Sequence, residues 1–321
     1  MLSKYVGRIL QASINSRYNV TDSFSFCDYI NSVRLPEGYV LVSFDVVSLF
    51  TCIPRELVSH TIIQCWDEIK KHTDINLDLF LEITVFCIEC SYFSYRGRYY
   101  KQVSGTAMGN PLSPTIADMV MELLMNNVMA KINFPIPVIK KYVDDLILAL
   151  PVDRVLEVLN MFNSYNPNIQ FTFEREQDNR LPYLDMVLVR LPDQSIKTEW
   201  YCKPMSSGRF LDFLSSHPLH MKINMVNYFI KRVRKLSTNL PQTAINNIID
   251  QHLQTNHYRR SLRHCLINQH STTSRRDNTT NNDDVIYKPM VHVNMLSGRL
   301  AKVFKADYPN TRLATRNEFT I

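Results

Sequence analysis

Three aspartates stand where carboxylates are costly. Asp45 lies inside the apolar run VSFDVVSLF, and an ionised side chain there is unfavourable unless something compensates it. Asp144 and Asp145 are adjacent between YV and LILAL, and neighbouring like charges also call for a counter-ion. If these stretches are neighbouring strands, the carboxylates converge, and hard oxygen ligands of this kind suit Mg²⁺ or Mn²⁺. Two such ions about 4 Å apart lower the barrier to in-line phosphoryl transfer, one activating a hydroxyl and the other steadying the leaving group. Each element alone is commonplace: a pair of aspartates in a turn is usually only a turn, and a strand aspartate often pairs with a Lys or Arg. Between them, in order, stands QVSGTAMGNPLSP (102–114), with two of the chain's seven glycines, Gly105 and Gly109. Gly109–Asn110–Pro111 reads as a loop that lets backbone approach a ligand. Ser113 then reads as the N-cap, and Pro114 as the first turn, of a following helix.

Such residues need a scaffold to position them. YVLVSFDVV (39–47) is rich in β-branched and aromatic residues and predicts a buried strand. VIKKYV and LILAL predict a hairpin around Asp144 and Asp145, and YFSYRGRYYKQV (92–103) a hairpin turning at Arg96–Gly97. FTFERE, YLDMVLVRL and IKTEWYCK predict further strands. Helices are expected over 20–38, 55–72, 76–91, 114–132 and 152–163, and again after residue 219. Strands joined by hairpins rather than regular βαβ crossovers argue for an α+β fold, an antiparallel sheet covered by helices on one face. Residues 271–284, STTSRRDNTTNNDD, lack apolar anchors and predict a flexible linker, with 285–321 as a short mixed tail.

Composition narrows the classes. With 321 residues, 45% hydrophobic and 21% charged, the chain can bury a sizeable core, and no apolar run approaches a membrane span. Seven scattered cysteines suit a reduced, intracellular protein. Cys87 and Cys90 form one C-x-x-C with no second pair nearby, so they predict buried cysteines on a helix rather than zinc ligands. His217 and His220 likewise predict a turn at the start of a helix rather than a metal site. Residues 1–196 hold 17 Lys and Arg against 22 Asp and Glu, whereas 197–264 hold 11 against 3. An acidic front followed by a basic block suits a metal site beside a phosphate-contacting surface. The first 20 residues carry Lys4, Arg8 and Arg17 and no acid. That allows a mitochondrial presequence, although an ordinary helix is the favoured reading.

Taken together, FDVVSLFT, GTAMGNPLSP and YVDD resemble the A, B and C motifs of reverse transcriptases. VSFDVVSLFTCIP, GTAMG, KYVDD, FTFEREQDNRLPYLDMVLVR and WYCKPMSSGRFLDFLSSHPLHMK resemble the Penelope-like retroelement type over roughly residues 20–240; VHVNMLSGRLAKVF resembles its continuation more loosely. The resemblance implies the palm of a right-hand polymerase (39–205), a helical, helix-turn-helix-like thumb (206–270) and a residual fingers segment (1–38). It implies RNA-directed DNA synthesis from dNTPs with two Mg²⁺ or Mn²⁺ ions, on an RNA template with a DNA primer, without a membrane and most naturally in the nucleus. Asp45, Asp144 and Asp145 match the catalytic, metal-binding aspartates, with Val46 beside them. Phe50 matches the aromatic gate that excludes a ribose 2′-hydroxyl, and Met108, Gly109 and Asn110 match the nucleotide loop. Tyr142 and the Trp200, Tyr201, Cys202 and Lys203 hairpin match primer contacts, and Lys222, Lys231, Arg232, Arg234 and Lys235 would meet backbone phosphates.

The sequence departs from the pattern in places. Met108 replaces a common Gln, Asn110 a common Ser, and Cys52 a common Asn. No Lys lies between Lys141 and Lys197 to protonate pyrophosphate, which leaves Arg175 and Arg180 as weak candidates. Only 44 residues precede Asp45, and neither a triphosphate-clamping fingers motif nor an endonuclease domain is visible. The expectation is therefore a fragment of a larger polyprotein, a truncated copy of an element, or a sequence that lacks an upstream piece. The competing readings are a catalytically inactive nucleic-acid-binding remnant and an RNA-directed RNA polymerase.

Overall fold

Val6, Ile9 and Leu10 recur at helical spacing, and α1 (Leu2–Ser13) buries all three. The structure, a computed structural model, describes residues 1–272, 286–291, 297–308 and 311–316. It forms two compact units, Met1–Glu199 and Trp200–Ile321. After α1 comes α2 (Ser23–Asn31), whose first amides, from Phe24 and Ser25, donate to the Asp22 side chain. The helix expected over 20–38 stops at Asn31 because the following residues pair elsewhere: Leu35 N–H donates to the Gln194 carbonyl. Then follow β1 (Tyr39–Val46), the single turn α3 (Leu49–Cys52), α4 (Arg55–Gln64) and α5 (Trp66–Ile69). The helix expected over 55–72 is thus broken at Cys65, which caps α4 and begins α5. Next are α6 (Leu77–Glu89), capped by Asn76, and the hairpin β2 (Tyr92–Tyr95) and β3 (Arg98–Lys101). Of the C-x-x-C pair, Cys87 is buried on α6 and Cys90 is exposed at its end, so the expected burial holds for only one.

The remaining elements of the first unit are α7 (Ser113–Met129), β4 (Ile139–Tyr142), β5 (Asp145–Pro151), α8 (Val155–Asn163), β6 (Phe171–Arg175), β7 (Arg180–Tyr183), β8 (Met186–Arg190) and β9 (Ile196–Trp200). Helix α7 begins one residue earlier than expected. Leu112 is its N-cap, and Ser113 Oγ instead donates to the Ala107 carbonyl at 2.6 Å. YLDMVLVRL, expected as one strand, folds back at Leu184–Asp185 into β7 and β8, with Leu184 at φ 53°. Strands β4, β5, β1 and β6 form one sheet in that order, every pair antiparallel, and β7, β8 and β9 form a second.

Alternation along β1 decides which way the site faces. Val42, Phe44 and Val46 are buried with Leu146, Leu148 and Leu150 of β5 against Ile116, Val120 and Leu124 of α7. Phe162 of α8 meets Phe44 and Phe171 edge-on at 5.5 and 5.0 Å. The opposite face grades along the strands from the buried Leu41 and Ala149 to the exposed Asp45.

In the second unit α9 (Leu219–Leu236), α10 (Gln242–Thr255) and α11 (Arg260–Thr272) bury Val226, Ile230, Val233, Ile249 and Leu253 in a common core. Beyond Thr272 the expected linker lies outside the described residues. In the tail, β10 (Ile286–Val291) and β11 (Thr311–Arg316) pair in parallel, with α12 (Ser297–Asp307) between them in sequence.

Candidate active site

Antiparallel register brings the aspartates together. Tyr142, Asp145, Asp45 and Thr172 form one row across β4, β5, β1 and β6, and directly paired residues project from the same face. The adjacent row on that face is Lys140, Ile147, Ser43 and Glu174. Asp144 sits in the two-residue turn between β4 and β5, beside Val143 at φ 59°, a left-handed conformation unfavourable for a β-branched residue. Burial, then the charge of Asp144, then that of Glu174 push the Asp45 carboxyl above its ordinary range. A hydrogen bond shared with Asp145 and one from the Val46 amide act in the other direction. From β7, the buried Tyr183 hydroxyl donates to the Asp145 carbonyl at 3.3 Å, and burial together with the Asp145 charge raises its pKa. Val46 turns its side chain into the core, so only its backbone is offered to this face.

These donors are hard oxygens that bring like charge together, which fits a divalent cation in chemistry. Among the described residues, however, no three His, Cys, Asp or Glu side chains are grouped closely enough to hold one as they stand.

Phe50 lies five residues after Asp45 on α3, half-buried against the first unit's core. Its carbonyl accepts the Thr106 amide at 2.6 Å and the Thr106 hydroxyl at 3.1 Å, which ties the GTAMG segment onto α3. Gly105 makes this possible. Its φ is +73°, and a Cβ there would stand 2.5 Å from Thr51 Cα and 2.6 Å from the Phe50 carbonyl oxygen. Gly109 is different, since an added Cβ would meet nothing within 4 Å. With the exposed Met108, Tyr92 and Phe93 and the half-buried Asn110 it lines a cleft of about 550 Å³. The Asn110 amide donates to the Cys87 carbonyl at 2.7 Å, and its oxygen accepts the Leu112 amide at 3.0 Å, so both ends of that side chain hold the loop in place.

Sequence reasoning passed over Lys141. It alternates with Tyr142 and therefore faces the helices, where it is fully buried and ion-paired with Asp118 of α7, with Glu122 at 3.7 Å. The signal was present: a lysine on the core side of a strand, and acids spaced i,i+4 on a helix.

Several assigned contacts are corrected. Strand β9 ends at Trp200, so the WYCKP segment does not form the expected hairpin. The Trp200 ring instead packs edge-on against Phe229 and His252 at 5.6 and 5.0 Å, inside the second unit. Tyr201 and Cys202 are half-buried and Lys203 is exposed. The Lys222 ammonium is buried and donates to the Phe213 and Ser215 carbonyls at 2.7 and 2.6 Å, so it is spent within the unit. Arg234 donates to Asn246 and to the Ile267 carbonyl, binding α9 to α10 and α11. Lys231 is exposed, Lys235 is half-buried, and Arg232 donates to the Tyr228 hydroxyl. Arg180 pairs with Glu199, and Arg175 stands opposite Val42, on the face away from Asp45; neither is placed as an acid for the aspartate row.

The chain is similar to the telomerase from Candida albicans, solved with a TWJ fragment of telomeric RNA, at 13% identity and TM-score 0.52 over 79% of this chain and 46% of that one. It is similar to apo telomerase from Candida tropicalis at 12% identity and TM-score 0.50 over 84% of this chain and 51% of that one. The fold is that of the right-hand polymerases. The four-stranded antiparallel sheet, with α7 and α8 packed on one face, accords with the palm of such a fold. A weaker likeness, TM-score 0.49 and 12% identity over 78% of this chain and 47% of that one, is to the RNA-dependent RNA polymerase of a human picorbirnavirus. The chain spans about half the length of each of these proteins. No family model matches the chain, and no curated protein does.

Proposed function

We propose that the chain is the palm and thumb of a reverse transcriptase of the Penelope-like type, extending a DNA primer on an RNA template from dNTPs. The observation that carries this reading is the pairing of Asp45 with Asp145 in register on the open face of a palm sheet, with Asp144 in the adjoining turn. The A, B and C motif wording supports the polarity and chemistry of the reaction.

In this reading Asp45, Asp144 and Asp145, with the Val46 backbone, would hold two Mg²⁺ or Mn²⁺ ions. When bound, these would supply Lewis-acid activation of the primer hydroxyl and charge neutralisation on pyrophosphate. The primer 3′-oxygen bonds to the α-phosphorus as the bond to the β-phosphate oxygen breaks. Phe50, held by Thr106 and Gly105, excludes a 2′-hydroxyl from the incoming sugar, and the open backbone at Gly109 leaves room for the nucleotide. Tyr142 stands in the aspartate row to meet the primer end, and Lys231, Arg232 and Lys235 supply phosphate contacts.

The second reading is an inert nucleic-acid-binding remnant, supported by the basic block at 197–264, with 11 Lys and Arg against 3 Asp and Glu. Primer extension on a primed RNA template with dNTPs and Mg²⁺ or Mn²⁺ separates the two. Extension abolished by Asp144→Ala supports the polymerase. Salt-sensitive binding without extension supports the remnant. Phe50→Ala should raise ribonucleotide incorporation; unchanged sugar selectivity would remove Phe50 from the gate and reopen the RNA-polymerase reading.

A further inference from the structure

The β2–β3 hairpin takes no part in the carboxylate site, yet all eight of its strand residues are exposed and five are aromatic: Tyr92, Phe93, Tyr95, Tyr99 and Tyr100. Arg96 at φ 49° and Gly97 at φ 75° form the tight two-residue turn that suits the strand twist. Register puts Phe93, Tyr95, Arg98 and Tyr100 on one face, and Tyr92, Ser94, Tyr99 and Lys101 on the other. Phe93 and Tyr100 stack at 5.4 Å with an interplanar angle of 18°, and the Arg96 guanidinium lies 5.2 Å from the Tyr95 ring centroid. No Asp or Glu occurs between Glu89 and Asp118. Rings left in water usually mark an interaction site. Beside three cations and no acid, they suit a ligand that is flat, π-faced and strung on an anionic chain.

We infer that this hairpin binds single-stranded nucleic acid, stacking unpaired bases on its tyrosine rings while Arg96, Arg98 and Lys101 hold phosphates. A duplex buries its base faces in its own stack and can use only the cations, so the hairpin prefers single strands. A second copy paired along the hairpin edge would bring like charges together, which disfavours self-association. The foot of the hairpin, Tyr92 and Phe93, borders the same cleft as Gly109, so a strand leaving the rings meets open backbone rather than a wall. The inference stands whether or not the aspartates are active.

The test is fluorescence anisotropy of the full chain with labelled oligothymidylate and with a duplex of equal length, in EDTA so that no extension contributes. Tyr99→Ala and Tyr100→Ala should each weaken single-strand binding about tenfold and leave duplex binding within about twofold, with Tyr99→Phe unchanged. Arg96→Ala with Arg98→Ala should reduce the slope of log affinity against log salt by about 1.4. Single-strand affinity indifferent to ring removal, or lost equally for duplex, overturns the inference. So does a sedimentation result in which the rings govern self-association and not oligonucleotide binding. Should the alanine variants melt differently from the parent, Tyr99→Trp decides: quenching by oligothymidylate beyond that of the parent, whose Trp66 and Trp200 set the background, supports stacking, and quenching no greater than the parent's overturns it.

Discussion

Gly105 and Gly109 lie four residues apart in one segment, and the structure gives them opposite jobs, which makes Gly105→Ala a sharp test. A Cβ at Gly105 would stand 2.5 Å from Thr51 Cα and carbonyl oxygen and 2.6 Å from the Phe50 carbonyl oxygen. These are backbone atoms, so no side chain can rotate away. Left-handed φ costs an alanine about 1 to 2 kcal/mol, and forcing the segment off α3 costs about 1 to 3 kcal/mol more. The two hydrogen bonds from Thr106 to Phe50, worth about 1 kcal/mol each, are strained at the same time. Against this, alanine restricts the unfolded chain by about 0.4 to 1 kcal/mol. The net is a loss of about 2 to 4 kcal/mol. In a unit of this size that lowers Tm by about 5 to 15 °C. Gly109→Ala meets nothing within 4 Å at an ordinary φ, so its Tm should hold or rise slightly while nucleotide affinity falls if the backbone there faces a nucleotide. Thermal unfolding of both variants, with nucleotide titration of the second, checks the argument. A Gly105→Ala protein as stable as its parent would refute the account of how Phe50 is held.

Other outcomes follow from the same geometry. Lys141→Ala leaves Asp118 and Glu122 without the buried ammonium and should cost about 3 to 5 kcal/mol in urea unfolding; a loss under 1 kcal/mol would mean the site relaxes into water. The Asp45 carboxyl is raised, so the stability it contributes is complete below its ordinary 3.8 and is lost as pH rises through the folded value. At neutral pH its ionisation therefore opposes folding. Asp45→Asn should raise Tm at pH 7 but not at pH 3, and thermal scans that show the reverse would remove the repulsion argument. Mg²⁺ should raise the Tm of the parent and not that of Asp45→Asn combined with Asp145→Asn, as read by a metal titration of Tm. Val143→Gly should relieve about 1 to 2 kcal/mol of left-handed strain, of which about 0.5 to 1 is returned as chain entropy; a net destabilisation would show that the strain is absent.

What the sequence made legible follows from how local each signal was. Strand β1 was readable because β-branched and aromatic content is a short-range signal, but it was expected to be buried, and the structure leaves Ser43 half-buried and Asp45 exposed on its second face. The Arg96–Gly97 turn was readable because glycine marks it. Leu184–Asp185 was not, since neither residue advertises a turn and the apolar run continues through it. Helix α2 ended early for a long-range reason, the bond from Leu35 to Gln194. Lys222 and Arg234 were read as surface charge, whereas Lys222 donates to two carbonyls and Arg234 to Asn246 and the Ile267 carbonyl within the helical unit. The job of Gly105 could not be read at all, since it depends on the backbone of residues 50 and 51 lying across it.

The least visible residue in the sequence has the widest consequence for the aspartates. Side chains in a strand alternate, so Lys141 and Tyr142 must face opposite sides of the sheet. With Lys141 paired to α7 on the inner side, Tyr142 is fixed on the outer side, opposite Asp145, which is itself opposite Asp45. A slip of one residue between β4 and β5 would carry the lysine out of reach of Asp118 and put Tyr142 or Lys140 against the helix. The buried ion pair adds little to net stability once desolvation is counted. It penalises the one-residue slip, and so favours the register that sets the turn bearing Asp144 beside the Asp45–Asp145 pair. The polar cost inside the core is therefore tied to precision at the open face, and the arrangement explains why a charge sits on the apolar side of the strand next to the site.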